Sequence, residues 1–175
     1  YFQVDEQGLE TFGARLAEGR NFDATIVTMP PKNSTTSPSG ILVTRDVAKE
    51  MFPDESALGK TIYTGTSQPV TILGIIDHMH GSWPGWDKVG NVALFPVITD
   101  ETMARYMVRA KPGQRDAMMK LAEESLGKVD NGRVILRVRS LEYIAAASYA
   151  EDRAMALYLA VVIALLLGIS ALGIF

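Results

Sequence analysis

"ILVTRDVAKEMFPDESALGKTIYTGTSQPVTILGII", Ile41 to Ile76, is the stretch on which the fold turns. It opens on Ile41 to Thr44, apolar and β-branched, the composition of a buried strand. The period then changes without a turn, because Val47, Ala48, Met51 and Phe52 recur at helical spacing and share one face. Thr44 stands at the N-cap position, Asp46 lies in the positive first turn, and Pro53 ends the helix. "ALGKTIY" leads through a glycine turn to Ile62 and Tyr63, and "YTGTSQP" joins these to Val70 as a hairpin. Val70 to Ile76 is a nearly continuous apolar run, so it reads as a central strand. A strand, a helix and a hairpin in succession imply a mixed sheet with helices packed on it.

Working outward toward the N-terminus, Met29 to Gly40 has three prolines and a Ser/Thr run with almost nothing to bury, a solvated loop. Before it, "DEQGLETFGARLAEGRNF" predicts a short helix over about Glu6 to Phe12, then a turn to Phe22 as an apolar anchor. The opening "YFQ" is either the remnant of a cleavable tag or, as "YFQV", the start of a strand. Without an initiator Met or a signal peptide, the chain reads as a piece of a longer protein.

Toward the C-terminus, "MHGSWPGWDKVGN" is a loop with two tryptophans, Trp83 and Trp86, at least one of which is expected to fold over the core and pin it. An exposed aromatic patch for a partner is the other reading. "VALFPV" returns as a strand, moved toward a sheet edge by Pro96. "RYMVRA", Arg105 to Ala110, predicts another strand. A helix follows from about Gln114 to Lys128, with Ala117, Met118, Leu121, Ala122 and Leu126 facing inward. "RVILRVRS" alternates, with Val134, Leu136 and Val138 opposite Arg133, Arg137 and Arg139, as in a half-buried strand. The fold class is therefore α+β, a mixed sheet with packed helices.

The chain then changes character. All 17 Lys and Arg residues lie at or before Arg153, and residues 154–175 are uncharged and mostly apolar. These 22 residues span about 33 Å as a helix, against roughly 30 Å of bilayer hydrocarbon. A helix apolar on every face has no place on the surface of so small a domain. The expected organisation is an extracytoplasmic domain over 1–139, a membrane-proximal connecting helix over 140–153 and a transmembrane helix over 154–175. Ser140 caps the connecting helix, and nothing between Ser140 and Arg153 breaks it, so it is expected to run stiffly into the span. Tyr158 suits the headgroup level.

Composition and motifs exclude several classes of chemistry. A net charge of -3 without clustered Lys and Arg argues against nucleic acid. The absence of cysteine removes disulfides, thiol catalysis and thiolate metal sites. There is no phosphate-binding Gly-x4-Gly-Lys-Ser/Thr run and no Gly-x-Ser-x-Gly elbow. His78 and His80, beside Asp77, share a face in an extended chain and invite a metal reading, but no third ligand has a recognisable spacing. No catalytic, cofactor-binding or metal residue is assigned, no cofactor is expected, and the chain reads as a non-enzyme.

Gly19, Arg20 and Phe22, the strand and helix ending in Phe52 and Pro53, Leu58-Gly59-Lys60, the apolar strand around Gly74, and Val108-Arg109 follow one another in a recognisable order. In this order they resemble the extracytoplasmic core domain of MacB-like ABC transporter permeases, a group that includes FtsX-like and lipoprotein-releasing permeases. The resemblance implies a porter-like domain between a preceding membrane helix and a following bundle, in a bacterial inner membrane, with residues 1–150 approximately outside the cytoplasm. It also implies a separate ATP-hydrolysing subunit or domain, a homodimer or paired permease, and contact with the lipid bilayer and with periplasmic or envelope proteins. Gly19 and Gly59 then suit turns with positive φ, Phe22 and Phe52 the core, and Arg20 a carbonyl or carboxylate partner. A membrane-anchored binding module is the alternative, and a membrane-bound hydrolase using His78 or His80 with Asp77 a more distant one.

Overall fold

The computed structural model describes residues 1–30, 38–65, 67–81, 86–98, 104–129 and 134–173. The chain divides into two compact units, Tyr1–Arg109 and Ala110–Phe175. In the first unit the elements are β1 (Phe2–Gln3), α1 (Gly8–Phe12), β2 (Leu16–Gly19), β3 (Gly40–Thr44), α2 (Arg45–Met51), β4 (Thr61–Tyr63), β5 (Pro69–Ile76) and β6 (Ala93–Phe95). In the second they are α3 (Arg115–Val129), α4 (Leu141–Ser148) and α5 (Ala150–Leu172).

The mixed sheet is ordered β1-β6-β3-β5-β2, with β4 also on β5. β5 organises it: β3 runs parallel along one edge, while β2 and β4 lie antiparallel at the two ends of the other. Parallel strands cannot be joined by a tight turn, so the chain between β3 and β5 makes the crossover through α2 and then β4. The expected hairpin is present, with Ile62 opposite Val70.

Alternation along β3, and along β5 on either side of a register shift at Leu73, gives the sheet two apolar faces. Leu42 and Ile76 join Leu9, Phe22, Met79, Val92 and Leu94 on one face, under α1 and the chain around Phe22. Ile41, Val43, Val70, Ile72 and Ile75 join Ala48 and Ala57 on the other, under α2. With both faces covered, all five residues of β3 are buried, which explains its unbroken apolar run. Phe22 is buried as expected, and Phe52 is half-buried against the second cluster.

Several expectations are corrected. β2 forms where a turn is expected; "LAEG" has one apolar residue directed at the core, and such an edge strand shows little periodicity. β6 lies inside the sheet, between β1 and β3, because it ends at Phe95 and the missing N–H of Pro96 falls beyond the ladder. "YFQV" does start a strand, with Phe2 opposite Leu94. Trp86 is about half exposed and does not pin the core, while Trp83 lies outside the described residues, as does most of the Pro/Ser/Thr loop.

The segments 104–110 and 134–139 do not form strands. Alternation gives a chain two faces, but a strand also needs a neighbour for its N–H and C=O groups, and neither segment enters the sheet. α3 forms where expected yet buries none of its residues. Met118, Ala122 and Leu126 are partly shielded, and Leu121 is exposed.

Ser140 caps α4 as expected, its Oγ accepting the N–H of Tyr143 at 3.1 Å. α4 runs into α5 within one apolar helical stretch, Leu141–Leu172, with a distortion at a single residue. Tyr149, at φ -98° and ψ 3°, separates α4 from α5 by one residue. Just before this point Ser148 Oγ donates to the carbonyl of Ile144 at 3.0 Å, a back-bond of the kind that often bends helices. α5 has 23 residues, about 34 Å, with Leu157, Ile163, Leu166 and Leu172 all exposed. Among the described residues the apolar helix that ends at Leu172 is the one long and apolar enough to cross a membrane.

Candidate functional site

Two short motifs, about forty residues apart in sequence, meet on one edge of β5. Gly19 is opposite Gly74, and Arg20 N–H donates to the carbonyl of Leu73 at 3.1 Å. One residue away, Gly59 N–H donates to Ile72 O at 2.8 Å, and Ile72 N–H donates to Lys60 O at 2.9 Å. The Gly-Arg-x-Phe and Leu-Gly-Lys segments thus close the gap that β2 and β4 leave between them along this edge. Gly19 and Gly59 have φ of 80° and 75°, in the left-handed region. The junction carries a shallow depression of about 320 Å³ lined by Gly19, Arg20, Leu58, Gly59, Thr71, Ile72 and Leu73. Arg20 pairs with Asp23 at 3.2 Å, an exposed contact that turns its guanidinium toward the adjoining loop. The hydroxyl and N–H of Thr25 and the Arg20 guanidinium hold the Asp23 carboxyl below the usual range.

A second cluster ties the tryptophan-bearing loop to α2. Thr44, fully buried, stands at the N-cap of α2 as expected, but its side chain makes no capping bond: its Oγ1 donates to Gly90 O at 2.7 Å and accepts the N–H of Val92 at 3.1 Å. Glu50, near the C-terminal end of α2, takes both Lys88 Nζ and Asn91 Nδ2. Arg45 at the start of α2 pairs with Asp77 at 2.8 Å, and Gly81 N–H donates to Val89 O at 2.7 Å across the base of the loop. Lys88 and Asn91 keep the Glu50 carboxyl below its usual value, and Glu50 in turn raises the Lys88 ammonium.

A third contact joins the last motif to the first helix. Arg109 Nη1 donates to the carbonyls of Glu10 and Thr11 at 3.1 and 3.3 Å, placing a cation at the C-terminal end of α1, where the helix dipole favours it.

The motif residues are therefore turn and junction residues, as their types implied. The sequence did not reveal Thr44 as the loop's anchor, Glu50 as a clamp or Arg109 as a helix-terminal cation, because each acts on a partner 38 to 99 residues away. Among the described residues no group of three or more His, Asp or Glu side chains is placed to hold a metal ion.

The class is thus an α+β domain carried in one chain with an apolar helix of membrane-crossing length. Residues 1–126 match the family model of the MacB-like periplasmic core domain, and the chain belongs to that family. Among solved structures, the crystal structure of the periplasmic region of MacB from Actinobacillus actinomycetemcomitans is similar at 16% identity with a TM-score of 0.46. The similarity covers 71% of this chain and 54% of that one, so this chain spans about half of that region. No curated protein matches the sequence.

Proposed function

We propose that the chain is part of the permease subunit of an ABC transporter or mechanotransmission system. In this reading the first unit is the extracytoplasmic core and α5 a span of the inner membrane. The observation that carries it is the family match over residues 1–126, followed in the same chain by α5. ATP hydrolysis belongs to a separate subunit or domain, and no catalytic step is assigned to this chain. The permease works as a dimer, and the core domain passes on movement that begins in the cytoplasm. Its junctions are consistent with such a part, since they brace loops and strand ends and offer no enclosed, chemically armed cavity.

The test is extraction of the complete protein from membranes in mild detergent. An ABC-type ATPase should co-purify in stoichiometric amount, and inactivating its nucleotide site should abolish function. Recovery of the protein without an ATPase, with ligand binding intact and function indifferent to ATP, would instead identify a tethered binding module.

A further inference from the structure

We propose that His78 and His80 form a two-imidazole clip for a borderline divalent metal ion of the Cu2+ or Zn2+ type, at the base of the tryptophan loop. Beyond β5 the chain bends at Asp77 and continues extended: Met79 is buried in the first core cluster, while His78 and His80 on either side of it are exposed. Alternation puts both imidazoles on the outward side. The structure supplies no third side-chain ligand among the described residues, but it brings the two rings together edge to face, with centroids 4.4 Å apart and planes at 75°. Among the described residues neither ring enters a hydrogen bond or an ion pair.

The frame around the pair is fixed on both sides. Asp77 is held by Arg45, and Gly81 N–H by Val89 O, so Met79 and these two ties set the backbone that carries the histidines. Metal–imidazole bonds of about 2.0–2.1 Å place two ligating nitrogens roughly 3 Å apart, a separation that rings already in contact reach by side-chain rotation. The donor set selects the ion. Imidazole nitrogen suits copper, zinc and nickel, whereas calcium and magnesium require oxygen ligands, and the adjacent carboxylate is engaged by Arg45. The remaining coordination positions fall to water or to a group on a docked partner. An ion in the clip would bridge two positions of one loop stem and stiffen its base.

The experiment is titration of the full chain in detergent, with any tag removed, using Cu2+ alone, followed by calorimetry and electron paramagnetic resonance. The expected result is one saturable ion per chain with a spectrum showing two nitrogen ligands. His78→Ala and His80→Ala should each weaken binding at least tenfold. Both rings are exposed, so either change leaves the apolar core in place, and near-ultraviolet circular dichroism checks this. An isotherm for either variant that overlays the parent's, a spectrum with fewer than two nitrogens, or no saturable binding by the parent would overturn the proposal.

Discussion

Gly19 and Gly59 look alike in sequence and share a left-handed backbone, but their surroundings separate them. A Cβ on Gly19 would lie 2.3 Å from the carbonyl oxygen of Leu73 and 2.6 Å from Leu58 Cδ1; on Gly59 it would meet nothing within 4 Å. Gly59→Ala therefore bears only the left-handed penalty, about 1–2 kcal/mol. Gly19→Ala adds a clash with backbone that cannot step aside, worth about another 1–3 kcal/mol. Urea unfolding of the full chain in mild detergent, followed by near-ultraviolet circular dichroism, should place Gly19→Ala clearly below Gly59→Ala; equal midpoints would show that the junction yields. At Glu50 the expected effect is on pH. Hydrogen bonds from Lys88, then Asn91, hold the folded carboxyl below its usual 4.5, so the stabilisation is present above that value and is lost as pH falls through the folded one. The clamp between α2 and the loop should open in acid, at a pH below that at which a free glutamate carboxyl titrates. Carbon-13 titration of the Glu50 carboxyl should show the lowered midpoint, and exchange of the Asn91 side-chain amide should rise over the same range. Glu50→Gln should abolish that acid step.

At the scale of elements, the parts legible in the sequence were those whose pattern needs no partner to be recognised. The run Ile41 to Thr44, the helical face of Val47, Ala48 and Phe52, the hairpin to Val70 and the length of α3 all follow from period and punctuation. What failed was pairing. "RYMVRA" and "RVILRVRS" have a strand's alternation but no ladder, while "LAEG" has a ladder and almost no alternation, because an edge strand exposes both its face and its backbone. Pro96 misled for a related reason, since one residue decided whether it interrupted β6 or followed it. The clusters around Thr44, Glu50 and Arg109 were illegible because a hydroxyl, carboxylate or guanidinium in sequence gives no sign of which distant carbonyl or amine it meets. Hydrogen exchange can test the division between paired and unpaired segments. Amides of Leu42, Val43, Ile75 and Ile76, in the ladder between two covered faces, should exchange slowest, near the global opening limit. Those of Met107 and Val108, exposed and outside the sheet, should exchange within seconds to minutes. Protection of the second pair equal to that of the first would mean that this segment is a strand after all.

For the whole molecule, the deciding quantity is the free energy of placing α5 in lipid. From Leu157 to Leu172 there are ten Leu, Ile and Val residues, each contributing about 0.3–0.6 kcal/mol to insertion, or ~3–6 kcal/mol together. One arginine near the helix centre costs about 2.5–3.5 kcal/mol, comparable to the lower end of that sum, and two cost about as much as the whole. The expected outcome is graded. Leu165→Arg should leave a reduced but real fraction of chains resistant to alkaline carbonate extraction, and V162R/L165R should release nearly all of them. Leu121→Arg, on the exposed surface of α3, should leave extraction unchanged. This pattern separates a span from a soluble core helix, because in a core helix the same arginines would unfold the chain and not relocate it. If V162R/L165R remained in the membrane fraction with its core domain folded, α5 would not be what holds this protein to the bilayer.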